Sequence, residues 1–203
     1  MDPVTDNKGF RIGRAELDKW VVALIESATQ VIAPVERREV RAFRVLSSPQ
    51  ELCLANGKTQ WSPKEHLFPR TEAVFSYETI DGEVKLSDPP PTTGDRVLFG
   101  VRPCDASGLA CTDAVLSPDA IYAQRRAHTI IVALTCPEAE PECFCASVGG
   151  APDGTDGSDV QLVPLADAWL VRSLTPRGEI LLGAASKKWK GYTEDELKKL
   201  GER

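Results

Sequence analysis

The side chains best suited to chemistry in this chain are its cysteines. Three stand together in Cys136-Pro-Glu-Ala-Glu-Pro-Glu-Cys143-Phe-Cys145, and a fourth lies upstream in Gly100-Val-Arg-Pro-Cys104-Asp. The Pro/Glu-rich segment offers no apolar surroundings in which to bury a thiol. Thiols gathered in a polar loop are suited to losing their protons and holding something. Four thiolates meeting at one point fit an iron–sulfur cluster or a structural zinc. Zinc sites favour C-x2-C knuckles, which complete a tetrahedron with little strain, and no such pair occurs here. A C-x-C step is awkward for one zinc but can serve a cubane whose irons stand apart. The residues alone leave three readings open: a cluster held by Cys104, Cys136, Cys143 and Cys145, a zinc at the same residues, or reduced thiols without metal.

These four thiols are useful only if the fold gathers them. Arg96-Val-Leu-Phe-Gly-Val101 and Thr129-Ile-Ile-Val-Ala-Leu-Thr135 are apolar runs suited to buried strands. Residues 105–127 between them read as helix, broken near Ser117-Pro118. Strand, helical crossover and strand of this length is a βαβ unit with parallel strands. Cys104 then lies just past the end of the first strand and Cys136 just past the second. Open α/β sheets place their ligands at that edge, and Cys143 and Cys145 follow in the loop that leaves it.

The remaining segments predict an α/β (α+β) fold: a βαβ-containing mixed sheet with flanking helices and antiparallel meanders. Residues Gly13 to Ile32 read as an amphipathic helix, with Leu17, Trp20, Val21, Leu24, Ile25 and Ala28 on one face. Short strands are expected at 39–46, 51–54, 73–80 and 83–86, with turns at Asn56-Gly57 and Asp81-Gly82. Pro89-Pro90-Pro91 reads as a stiff connector, and 149–158 as a flexible loop. Strands at 159–164, 168–174 and 179–182 are expected to form a second meander, closed by Pro176-Arg-Gly178. The division this suggests is 1–90, a helix with a β-meander; 91–185, the cysteine-bearing part; and 186–203, a charged tail whose helix starts at Thr193.

The other reactive residue types carry less. Cys53, in a strand pattern, and Cys111, seven residues along a helix from Cys104, read as small core hydrophobes. Arg102 either places positive charge beside the cysteines or pairs with an acid such as Asp105, which itself reads as a helix cap. Arg125 and Arg126 read as helix-end and solvent contacts. His66 and His128 form no metal-like pair, and no G-x-G-x-x-G opens a helix after a strand. No Ser/His/Asp or Cys/His catalytic arrangement is evident, so no catalytic residue is assigned.

Composition bounds the setting. The chain has 203 residues, 42% hydrophobic and 27% charged, ordinary values for a soluble globular protein. Its net charge of −6 argues against nucleic acid and anionic membrane as partners. No apolar run approaches the ~20 residues of a bilayer span, and the start of the chain lacks the pattern of a signal peptide. A cytoplasmic location is expected, and in that reducing compartment clustered cysteines point to metal rather than to disulfides.

Several motifs resemble one family. Ser62-Pro-Lys-Glu-His-Leu-Phe-Pro69 with Glu72 and Phe75, Gly100-Val-Arg-Pro-Cys-Asp105, Asp113, Tyr122 with Arg125-Arg126, Cys136…Cys143-Phe-Cys145 and Gly157–Asp159 occur in this order. Over about residues 13–182 they resemble the iron–sulfur β subunit of cytosolic sulfhydrogenases and the related A subunit of anaerobic sulfite reductase. The resemblance implies an electron-transfer subunit of a multi-subunit oxidoreductase, beside a flavoprotein or ferredoxin-like partner and a catalytic subunit. It also implies one [4Fe–4S] cluster on Cys104, Cys136, Cys143 and Cys145. The family's ferredoxin domain, with C-x2-C-x2-C-x3-C-P runs, has no counterpart here, so the expectation is the N-terminal domain alone. Glu138, Glu140 and Glu142 around the ligand loop imply a low potential.

Overall fold

The most apolar segments of the chain become its central strands. A computed structural model describes residues 9–27, 29–88 and 94–192. The described elements are β1 (Gly9–Ile12), α1 (Arg14–Glu26), β2 (Gln30–Arg37), β3 (Val40–Val45), β4 (Ser76–Ile80), β5 (Glu83–Ser87) and β6 (Arg96–Val101). Then come α2 (Pro103–Leu116), α3 (Ala120–Ala127), β7 (Thr129–Leu134), β8 (Val160–Pro164), β9 (Trp169–Ser173), α4 (Pro176–Ser186) and β10 (Lys190–Gly191). Eight strands make one mixed sheet in the order β10-β1-β9-β8-β7-β6-β2-β3, and β4 pairs only with β5. The central β2, β6, β7 and β8 are parallel neighbours. The flanking pairs are antiparallel. The α/β class, the βαβ unit and the helix break near Ser117-Pro118 are as the sequence predicts.

Both faces of the sheet are covered, which is why β6 and β7 are apolar almost throughout. Val97 and Phe99 pack with Leu17, Trp20 and Val21 of α1, whereas Leu98 and Ile131 pack with Leu109 of α2 and Tyr122 of α3. Trp20 meets the Phe99 ring edge-on at 5.3 Å. Alternation breaks at one position: Val101 joins the cluster on the α2 side, though a regular strand would put it on the Phe99 side. The register shifts between Phe99 and Val101, and Gly100 has φ +76°. The extra residue of the bulge reverses the facing of the strand beyond it. A Cβ on Gly100 would also come 3.0 Å from Leu54 and 3.3 Å from Pro34.

Several local expectations are corrected. The first helix stops at Glu26, and Ile32 belongs to β2. Val31, Ile32, Ala33 and Val35 are buried between β3 and β6, and that burial outweighs helical periodicity. Residues 51–54 form no strand; a 3-10 turn at Pro49–Glu51 leads to a single bridge, Val35↔Leu52. Residues 179–182 are helical, within α4, where Thr175 caps the helix by accepting from Gly178 N–H and Pro176 takes the first turn. The sheet draws strands from both sides of residue 90. Ala28, the Pro89-Pro90-Pro91 connector and the helix expected from Thr193 lie outside the described residues.

Candidate metal centre

The cysteines reach one place because of where the parallel strands end. Cys104 is in the first turn of α2, directly after β6, and Cys136 lies just past the end of β7. Cys145 begins a 3-10 turn, Cys145–Val148, in the long connection to β8. Pairing of β2 with β6 covers only Gln30↔Arg96 to Ile32↔Leu98. Beyond it stand Pro34, which has no N–H to donate, and the bulged Gly100, so the ladder of hydrogen bonds ends although the two residues still touch. A cleft of about 820 Å³ opens there, and Cys104, Cys136, Cys143 and Cys145 all line it, with Pro34, Gly100 and Leu134 in its wall.

The loop that carries the thiols is pinned at several points. Cys136 N–H donates to Pro152 O at 2.9 Å, and Gly150 N–H donates to Cys145 O at 2.8 Å. Glu140 N–H donates to Cys143 Sγ at 3.2 Å. Gly157 (φ +75°) lets the far end of the loop lie against α2, since a Cβ there would come 2.3 Å from Ala106 O. Asp159 then fixes the return to the sheet: its carboxylate accepts from Ile131 N–H at 2.9 Å and from the Thr175 hydroxyl at 2.7 Å.

Arg102 faces the same cleft. Its Nη2 donates to Ala55 O (3.2 Å) and Gly57 O (3.0 Å), while Nη1 donates to Thr135 O (3.4 Å) and lies 3.9 Å from Cys136 Sγ. Of its two expected roles, charge beside the cysteines is the one realised. Asp105 instead accepts from Ser62 Oγ at 2.6 Å, and the cap position of α2 is Arg102. Burial pushes the Cys136 thiol up from its usual range, Arg102 acts against this, and the nearby Cys143 and Cys145 add to it. Burial also raises Cys104, with the charges of Asp105 and Cys136 adding. The four thiols are therefore electrostatic neighbours. Among the described residues, no three Cys, His, Asp or Glu side chains converge tightly enough to hold a single metal ion.

The remaining singled-out residues are distributed differently. Cys53 is half-buried and lines the cleft, rather than sitting in the core, because the expected strand is absent there. Its thiol points to Glu36 Oε2 at 3.7 Å. Cys111 is exposed on α2. Arg125 is buried, pairs with Glu72 and donates to Leu67 O at 2.6 Å, so it ties the 67–72 segment to α3. Arg126 Nε and the Tyr122 hydroxyl both donate to Asp113, joining α3 to α2. Burial, then the bond to Asp113, pushes the Tyr122 hydroxyl far up, leaving it a permanent donor. His66 is pushed down by burial, and His128 Nδ1 lies 3.0 Å from Asp95. Sequence reasoning missed Arg41, which donates to Ala55 O, Asn56 O and Gly57 O. An arginine within a strand gives no signal that it will hold a distant turn.

Known proteins add the relation. The sulfhydrogenase 2 subunit beta of Pyrococcus furiosus is 30% identical over 186 residues, covering 88% of this chain and 52% of that protein. The chain thus spans about half the length of the curated relative it matches. No protein-family model matches it, and no solved structure matches it.

Proposed function

The chain is a homologue of a sulfhydrogenase β subunit over most of its length, and from that premise we propose that it is an iron–sulfur electron-transfer subunit or module of a multi-subunit oxidoreductase. One observation carries the reading: the four thiols from three separate points of the chain line a single cleft at the ligand-binding edge of the sheet. The donor set fits a [4Fe–4S] cluster. Thiolates are its ligands, the Glu140 N–H and the Arg102 guanidinium face two of the sulfurs, and the cleft has room for a multi-atom centre. The absence of any C-x2-C knuckle favours such a centre over the zinc alternative.

When bound, a cluster would supply one-electron redox chemistry. The chain's own residues do the rest. Cys104, Cys136, Cys143 and Cys145 hold the centre, and Arg102 and the Glu140 N–H direct donors at sulfur. Phe144, exposed between two of the ligands, lies beside the route to solvent. In this reading the subunit relays electrons between a flavoprotein or ferredoxin-like partner and a catalytic subunit, in the cytoplasm, without turning over substrate itself. Among the described residues, no helix is long and apolar enough to cross a membrane.

The test is metal analysis of anaerobically purified protein. About four irons and four acid-labile sulfides per chain are expected, with a broad visible absorption that dithionite bleaches. Stoichiometric zinc without labile sulfide would replace this reading with a structural zinc module.

A further inference from the structure

Arg102 sits at the exit of the buried central strand β6. Three backbone carbonyls, those of Ala55, Gly57 and Thr135, fix its guanidinium, and the remaining reach of Nη1 is toward Cys136 Sγ at 3.9 Å. The turn that supplies two of those carbonyls is itself held by Arg41, which lines the same cleft and whose hydrogen bonds go to carbonyls and to Glu36 rather than to a cysteine. It is also latched to the cysteine loop through Lys58 and Glu142 at 2.9 Å. An arginine remains charged under all ordinary conditions, and a fixed donor at a ligand sulfur is one of the main controls on a cluster's potential.

We propose that Arg102 is the positioning residue that sets the redox potential of the centre, raising it against the carboxylates of the same loop. This rests on the cluster reading above. Reduction would add one electron, supplied in the test by dithionite, and therefore one unit of negative charge to the centre as a whole; no bond forms or breaks and no proton moves. A fixed cation beside Cys136 stabilises that added charge. The loop carboxylates of Glu138 and Glu140 act in the opposite sense, and Lys58 offsets Glu142. Arg41 and Lys58 also line the cleft, but Arg102 is the cation whose hydrogen bond reaches a cysteine sulfur, which is why its removal is expected to move the potential most.

The experiment is a redox titration, followed by visible absorption, of the iron-loaded wild type and of Arg102→Lys, Arg102→Gln, Arg102→Met and Arg41→Gln. Iron and sulfide are counted in each. Removing the charge, in Arg102→Gln or Arg102→Met, is expected to weaken reduction at least tenfold, a downward shift of about 59 mV for a one-electron couple. Arg102→Lys keeps the charge and recovers part of the shift. Arg41→Gln loosens the same turn and moves the potential far less. Intact iron with unchanged potentials in both neutral variants overturns the proposal alone. So does an equal shift in Arg41→Gln, which would assign the effect to the turn. Loss of iron from every Arg102 variant overturns it too, since the residue would then hold the centre rather than tune it. A wild type without iron overturns the cluster reading, and the proposal with it.

Discussion

Single substitutions would separate the proposed ligands from the other two cysteines. Replacement of Cys104, Cys136, Cys143 or Cys145 by Ser is expected to lose or degrade the visible spectrum of the loaded protein. Cys111→Ser, on an exposed helical position, is expected to leave it unchanged. Cys53→Ser should also keep the iron, although Cys53 lines the cleft, because its thiol is directed to Glu36. Iron and sulfide counts on the six variants check this, and a Cys53→Ser protein without iron would place a fifth thiol among the ligands. That the four thiols lie at one edge of the sheet and line one cleft was legible in the sequence because strand ends can be read from apolar runs. The surroundings of Cys53 were not, since its supposed strand is a bridge stabilised by distant pairing. The roles of Arg125 and Asp113 were equally hidden. A buried arginine paired with Glu72 has no local pattern, and its loss should be costly: Arg125→Ala removes the bond to Leu67 O and the pairing with the more open Glu72, a change of about 1–3 kcal/mol measurable by urea unfolding.

Elements that repeat a simple period were readable, and those defined by one irregular residue were not. The βαβ unit can be inferred from two apolar runs and a helical crossover. The bulge at Gly100 cannot, although it decides the facing of the strand exit and the opening of the cleft. Gly157→Ala tests how much the site depends on such a point. With φ +75° and Ala106 O in the way, the substitution should displace the loop from α2 and cost about 1–3 kcal/mol. Metal occupancy should fall more than global stability does, as read by iron content against thermal midpoint. The misread 179–182 segment shows the opposite case. Its Thr175-Pro176 start is a helix signal in plain view, whereas Ile180-Leu181-Leu182 is a short apolar run that suits strand or helix equally. The β4–β5 hairpin was placed correctly, yet all ten of its residues are exposed. A two-stranded hairpin alone is marginal in water. Amide exchange should therefore be fastest there and slowest in β6 and β7.

At the scale of the molecule, the proposed function predicts that association of the acidic cysteine loop with a basic partner surface depends on salt. Electron transfer to a flavoprotein or ferredoxin partner should weaken as ionic strength rises and the screening length shortens to about 8 Å at physiological salt. Glu138→Lys with Glu140→Lys should slow that transfer without loss of iron. Glu142 is left in place because it is engaged by Lys58. Stopped-flow rates across a salt series check this, and an unchanged rate and salt slope would move the docking face elsewhere. The separation of the apolar core from the thiols carries a further consequence. Trp20, Phe99, Leu98 and Ile131 close both sides of the sheet, and no cysteine belongs to either cluster. Small metal-dependent domains acquire their fold from the ion itself. Here the apolar packing of the sheet draws on none of the thiols, so the metal-free chain is expected to keep its fold, which the circular dichroism and thermal midpoint of protein stripped of metal would check.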